Sequence, residues 1–338
     1  MSRKEPALNP EAPVLDPKTE WLLKLIRDQR GPDVFEMPLA TVRKMQSTAQ
    51  ALFAGNKLPA EIESCAIPVG PKGKVELRIF RPAGNRSALP VAMFFHGGGW
   101  VLGDVETYDR LVRDIVNGIG ATVVFVEMSL APEERYPVPL EECYAATQWV
   151  ADHAGDMRIL PDQIAVAGDS SGGNIATAVT MLAKQRGGPS IKAQVLLYPA
   201  TTNAFDTPSF QQFARSYYLT GDATRWFWQQ YIPDHAMSAE ATACPLKASI
   251  DQLKGLPPAL VITAECDTLR DEGELYARKL MQAGVPVTCT RYLGAIHGFM
   301  GINALAETPV ARAATTQMNN MLRQIFAAGT SEQKAVAI

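Results

Sequence analysis

Gly168-Asp169-Ser170-Ser171-Gly172-Gly173 lies between two apolar segments of different period. Before it runs Gln163-Ile164-Ala165-Val166-Ala167, short, apolar and suited to a buried strand. After it runs Asn174-Ile175-Ala176-Thr177-Ala178-Val179-Thr180-Met181-Leu182-Ala183, rich in alanine and apolar at helical spacing. The six residues read as a sharp turn from strand to helix, the setting that a G-x-S-x-G nucleophile elbow requires. A serine hydroxyl at the tip of such a turn strains the backbone, and glycine on either side leaves room for it. The following helix aims its free N–H groups and positive dipole end at the same point. A plain glycine turn capped by Asp169 or Ser170 is the competing reading, and the strand before and helix after weigh against it.

The segments around this turn alternate. Residues 61–69 and 74–81 form a hairpin pattern joined by Gly70-Pro71-Lys72-Gly73. Further strands are expected at 90–95, 121–128, 192–198, 258–264 and 286–293. Helices are expected at 16–30, 38–53, 107–119, 140–153, 271–283 and 306–327, after an irregular Pro- and charge-rich start over 1–18. Strands alternating with helices imply an α/β fold with a mostly parallel sheet covered on both faces. Residues 201–245 interrupt the alternation and carry nine aromatics, among them Phe205, Phe210, Tyr218, Phe227 and Tyr231. An insertion of that length with its own apolar content reads as a lid, a second small core, or both.

Composition narrows the function. The 338 residues are 47% hydrophobic and 20% charged, which is ordinary for a globular chain. Net charge is −3 with no long basic run, so nucleic acid and anionic membrane surfaces are not expected partners. No apolar run approaches the roughly 18 residues of a membrane span, and the first residues lack the apolar centre of a signal peptide. Cys65, Cys143, Cys244, Cys266 and Cys289 stand singly with no C-x-x-C pair. Reduced thiols in the cytoplasm are the expectation, and a zinc site is not.

Four chemistry-bearing segments fall at carboxyl ends of expected strands, where open parallel sheets collect functional residues. They are His96-Gly97-Gly98-Gly99, Ser170, Asp267 and His297. A serine hydroxyl is nearly inert near neutral pH. It needs a base to take its proton, and the base needs an acid to orient it and hold its charge. Of the four histidines, His153 reads as a helix cap, His235 lies in the insertion and His96 sits on the glycine turn in a structural role. His297, in the glycine-flanked loop Gly294-Ala295-Ile296-His297-Gly298-Phe299, is the candidate base. Asp267 is the candidate acid because it lies nearer its strand end than its rival Asp271. The glycines after His96 can turn backbone N–H groups toward a developing oxyanion, together with the N–H after the nucleophile.

With these residues in place, the chain resembles the hormone-sensitive-lipase-like family of α/β-hydrolase carboxylesterases. The resemblance covers about 77–300 and rests on His96-Gly97-Gly98-Gly99-Trp100, Leu130-Ala131-Pro132-Glu133, Gly168-Asp169-Ser170-Ser171-Gly172-Gly173, Asp267-Thr268-Leu269-Arg270-Asp271-Glu272-Gly273 and His297-Gly298-Phe299. It implies an α/β-hydrolase fold, with about eight strands and a helical cap. It also implies Ser170 as nucleophile, Asp267 as acid, His297 as base, and oxyanion N–H groups from Gly98, Gly99 and Ser171. No cofactor or metal is implied. The domain reading is 1–55 for N-terminal cap helices, 56–200 with 246–330 for the catalytic core, 201–245 for the cap insertion and 331–338 for a tail. Asp169, Glu133, Asp271 and Glu272 match family positions as braces. Where the family usually carries alanine, tyrosine-arginine and proline, this chain has Ser171, Met128-Ser129 and Thr268.

The expected activity is hydrolysis of short- to medium-chain acyl esters through an acyl-enzyme. An amidase or peptidase with the same triad, or a non-catalytic ligand receptor on the same fold, are the alternatives. The expected partner is a small-molecule ester, and pairing of two copies through the last strand and helix leaves a homodimer open.

Overall fold

The computed structural model describes residues 13–29, 31–215, 217–232 and 234–336. The first twelve residues of the irregular N-terminal segment, and the last two of the tail, lie outside the described residues. Eight strands form one sheet: β1 (Ala60–Ile67), β2 (Val75–Pro82), β3 (Leu89–Phe95), β4 (Thr122–Glu127), β5 (Ile159–Asp169), β6 (Ala193–Leu197), β7 (Ala259–Cys266) and β8 (Val287–Ile296). Their order is β1-β2-β4-β3-β5-β6-β7-β8. β2 runs antiparallel to β1 and β4, and the other pairs are parallel.

The helices are α1 (Pro17–Asp28), α2 (Leu39–Leu52), α3 (Val105–Ile119), α4 (Val138–Asp152), α5 (Ser171–Arg186), α6 (Pro208–Phe213), α7 (Gly221–Tyr231), α8 (Ile250–Leu253), α9 (Arg270–Gln282) and α10 (Pro309–Val336). Among the described residues none is long and apolar enough to cross a membrane. The central strands read as continuous apolar runs because both faces are covered. Phe94 and Phe125 point to one face, with Leu111 and Ile115 of α3 and Ala314 and Met318 of α10. Met93 and Phe95 point to the other, with Leu140 of α4, Ile175 and Val179 of α5 and Tyr276 of α9.

The chain passes from β3 to β4 on one side, then returns past β3 to β5 on the other. That reversal opens a crevice at the carboxyl ends of β3 and β5, where such sheets place their ligands. The glycine run after His96 and the turn at Ser170 both sit at this point.

Most element boundaries shift by a few residues from the sequence expectation, and two of the differences bear on the site and the tail. β8 continues to Ile296, so His297 follows the strand directly and Gly294 to Ile296 are not loop. Gly294 takes φ +71° and donates its N–H to Glu265 Oε2 (2.7 Å), after which pairing resumes between Cys266 and Ile296. This bulge lets a glycine sit inside a strand. The final helix runs from Pro309 to Val336, so the expected tail at 331–338 is helical as far as it is described.

The segments outside the sheet are tied to the crevice. Arg43 of α2 holds the Glu133 carboxylate with both guanidinium ends (2.7 and 2.8 Å) and donates to Val101 O (2.9 Å). Gln50 of α2 donates to Gly301 O (2.8 Å) and accepts from Asn303 N–H (2.9 Å). In the 201–245 insertion, Trp228 and Tyr231 of α7 are buried. The Tyr231 ring stacks on Trp100 at 4.2 Å with planes 2° apart.

Candidate active site

β5 delivers Ser170 at φ 55°, ψ −119°, a left-handed conformation that costs a non-glycine residue on the order of 1–3 kcal/mol. The turn closes so tightly that a Cβ at Gly168 would overlap the carbonyl of Gly172. A Cβ at Gly172 would overlap the carbonyl of Phe95 at the end of β3. Both glycines of G-x-S-x-G are therefore demanded by backbone crossing backbone. Ser170 is the N-cap of α5 but makes no side-chain capping bond, so its hydroxyl stays free to face the crevice.

The expected histidine and aspartate meet it there. Ser170 Oγ lies 2.8 Å from His297 Nε2, and His297 Nδ1 lies 2.8 Å from Asp267 Oδ2. With Asp267 accepting at Nδ1, neutral His297 carries its proton on that side and presents Nε2 as an acceptor for the serine hydroxyl. Asp267 is 1% exposed, and its other oxygen accepts from Leu269 N–H (2.9 Å). Asp271, the rival acid, points elsewhere: it pairs with Arg270 and accepts from Ser209 N–H (2.7 Å).

The other histidines do different work. His96 is buried, stacks on Phe125 and places Nδ1 2.7 Å from Gly97 O. Burial lowers its pKa to about 4, so the ring is neutral and Nδ1–H donates. His153 stacks on Trp149 at the end of α4 and places Nδ1 2.9 Å from Trp149 O. The side chain of His235 lies outside the described residues.

Gly98 and Gly99 take positive φ (100° and 64°). Among the described residues their N–H groups, and that of Ser171, make no hydrogen bond within the chain. Gly97 N–H is occupied: it donates to Asp169 Oδ1 (2.7 Å), and the Tyr108 hydroxyl donates to Asp169 Oδ2 (3.1 Å). Burial, against the pull of these two donors, raises the Asp169 carboxyl to about 6. Glu272 accepts at Oε1 from Thr201 N–H (2.6 Å) and Thr202 N–H (3.1 Å) and is pushed up to about 8 by burial. That bond pins the stretch after β6, whose Ala200 N–H donates to Ser170 O (3.1 Å). The departure at Met128-Ser129 is filled locally. Ser129 donates its N–H and hydroxyl to Glu142 (2.7 and 2.8 Å), and Cys143 Sγ lies 3.7 Å from Met128 Sδ.

Some neighbours of the triad were not singled out by sequence. Tyr198 packs edge-on against His297 with centroids 5.1 Å apart, and Tyr108 braces Asp169. Tyr198 follows the carboxyl end of β6, so the strand-end rule that found the triad would have found it too. Phe227 lies against Gly99 and Tyr218 beside Gly298, contacts made across the chain that no local pattern reports.

The sequence model of the alpha/beta hydrolase fold family matches residues 92–301. Carboxylic ester hydrolase LipN of Mycobacterium tuberculosis is 37% identical over 318 residues, covering 91% of this chain and 82% of LipN. Carboxylesterase NlhH of the same species is 35% identical over 315 residues, covering 90% of this chain and 95% of NlhH. The crystal structure of a thermostable esterase from Pseudomonas putida superposes with a TM-score of 0.91 at 42% identity, covering 93% of this chain and 98% of the other.

Glu272 gives the site a defined pH signature. A raised acid pKa means that the native state keeps its proton where the unfolded chain has lost it. Stability therefore falls as pH rises from about 4.5 to about 8 and levels off above. Glu272→Gln keeps an acceptor for Thr201 and Thr202 but cannot ionise. Urea unfolding across that range should show the variant gaining on the wild type, by on the order of a few kcal/mol at the top. Parallel pH profiles for the two proteins would contradict the assignment.

Proposed function

The chain belongs to the hormone-sensitive-lipase-like family of the α/β-hydrolase fold and is a carboxylic ester hydrolase; we propose that it cleaves short- to medium-chain acyl esters through an acyl-enzyme on Ser170. Ser170 Oγ attacks the ester carbonyl while His297 Nε2 takes its proton. The tetrahedral oxyanion lies against the N–H groups of Gly98, Gly99 and Ser171, with the positive end of α5 behind them. Collapse expels the alcohol, which receives the proton from His297. Water then attacks the acyl-enzyme with the same residues in the same roles. Asp267 holds the ring by Nδ1 and stabilises the imidazolium.

The observation that carries this reading is the unbroken series Asp267–His297–Ser170, with both contacts at 2.8 Å, together with three nearby backbone N–H groups that have no partner among the described residues. The acyl preference rests on the insertion, which we assign with α1 and α2 to a cap. Its Phe227 lies on the oxyanion glycine and its Tyr218 beside the base's loop, so bulky rings narrow the approach to Ser170. A cytoplasmic setting is supported by five free cysteines, three of them buried. The outer edge of β8, a strand that carries the exposed Leu293, supports a homodimer built on that edge. Sedimentation as a monomer at micromolar concentration would remove that part of the proposal.

Ser170→Ala should lower ester turnover by at least about a thousandfold, since triad members act as a unit. A folded variant keeping more than about a tenth of wild-type kcat would end the nucleophile assignment. In a chain-length series of nitrophenyl esters, kcat/KM should peak at short to medium acyl chains. A maximum at sixteen carbons would reverse the preference.

A further inference from the structure

Ser171 does more than lend its backbone N–H. It is buried at the first position of α5, and its Oγ accepts a hydrogen bond from Trp100 N–H at 3.1 Å. Trp100 takes φ +61°, an unfavourable conformation for a large aromatic residue, and follows two glycines that also have positive φ. On the other side of those glycines, Gly97 N–H is held by Asp169. The two residues that flank Ser170 in sequence thus grip the two residues that flank Gly98-Gly99. Between the grips, the N–H groups of Gly98 and Gly99 have no hydrogen-bond partner among the described residues.

We propose that the Ser171 hydroxyl is a positioning residue for the oxyanion loop, fixing the Trp100 end of that loop to the elbow as Asp169 fixes the Gly97 end. This rests on the serine-hydrolase reading above and refines it. The hydroxyl does not touch substrate. Its effect is to hold two donors where charge develops, so it acts on the tetrahedral state and hardly on the bound ester. An alanine at 171, the residue usual in the family the chain resembles, would leave Trp100 N–H buried and unpartnered and one end of the loop loose.

The test is Ser171→Ala, a smaller side chain at a buried helix start that keeps the backbone N–H. Turnover of a short nitrophenyl ester is measured together with inhibition by a trifluoromethyl ketone, whose serine adduct carries an oxyanion. Expected are a fall in kcat of about three- to thirtyfold and a KM within about twofold, short of the roughly 10²–10³ lost when an oxyanion donor is removed. The affinity for the ketone should fall by the same factor as kcat/KM. Wild-type kcat with a lowered melting temperature would mean that the hydroxyl only stabilises the fold, and the proposal fails. Slower turnover with undiminished ketone affinity also overturns it, because the loss would then lie away from the oxyanion. A loss beyond a hundredfold overturns it as well, by making the hydroxyl part of the chemistry. Activity surviving in Ser170→Ala would instead sink the nucleophile reading itself, so the two failures are distinguishable.

Discussion

Backbone touching backbone at the elbow is the constraint that organises this protein. Gly168 meets the carbonyl of Gly172, and Gly172 meets the carbonyl of Phe95, so β5, α5 and the end of β3 approach as closely as atoms permit. No side chain fits in either gap. That closeness forces Ser170 into its left-handed conformation, and it brings the first turn of α5 against the loop that leaves β3. The strain at Ser170 persists because Ser170 N–H donates to Leu197 O (2.8 Å) and its carbonyl accepts from Ala200 N–H (3.1 Å). A neighbouring strand end thus clamps the residue from both sides.

The carboxylates packed around this elbow are buried, and their hydrogen bonds show the consequence. Asp169, Asp267 and Glu272 are all buried, and each is given N–H or O–H donors from a different loop. Burying a carboxylate costs several kcal/mol unless such donors compensate. The donors tie together the segments after β3, β6 and β7, so satisfying the charges and positioning the site are one task. Where donors fall short of desolvation, the proton is retained more strongly, as at Asp169 and Glu272.

Much of this was legible in the sequence because it is local. The elbow, the glycine run after His96 and the strand–helix alternation are short patterns set by sterics and period. The hairpin formed as its Gly70-Pro71-Lys72-Gly73 joint predicts. What the sequence left out depends on contacts between distant segments. Gly294 reads as a loop residue, yet it sits inside β8, because Glu265 on the neighbouring strand accepts its N–H. Tyr108 looks like one more apolar helix residue until Asp169, 61 positions away, gives its hydroxyl an acceptor. The serine at 171 is visible as a departure, but its partner Trp100 N–H is a backbone group that no sequence pattern marks.

The insertion illustrates the same point at larger scale. Its aromatic content suggests a lid, and the structure divides those rings between two tasks. Trp228 and Tyr231 are buried against Trp100, the residue that follows Gly98-Gly99. Phe227, immediately before Trp228 in sequence, lies on Gly99. One helix, α7, therefore touches two neighbouring residues of the loop that leaves β3, Gly99 and Trp100. On the proposed function, substrate selection and oxyanion geometry would share that helix, so a change in α7 that admits a larger acyl group would also shift the support of Trp100. On that proposal, substitutions there would change kcat as much as fit, because the rings of α7 contact the same glycine loop that supplies the proposed donors.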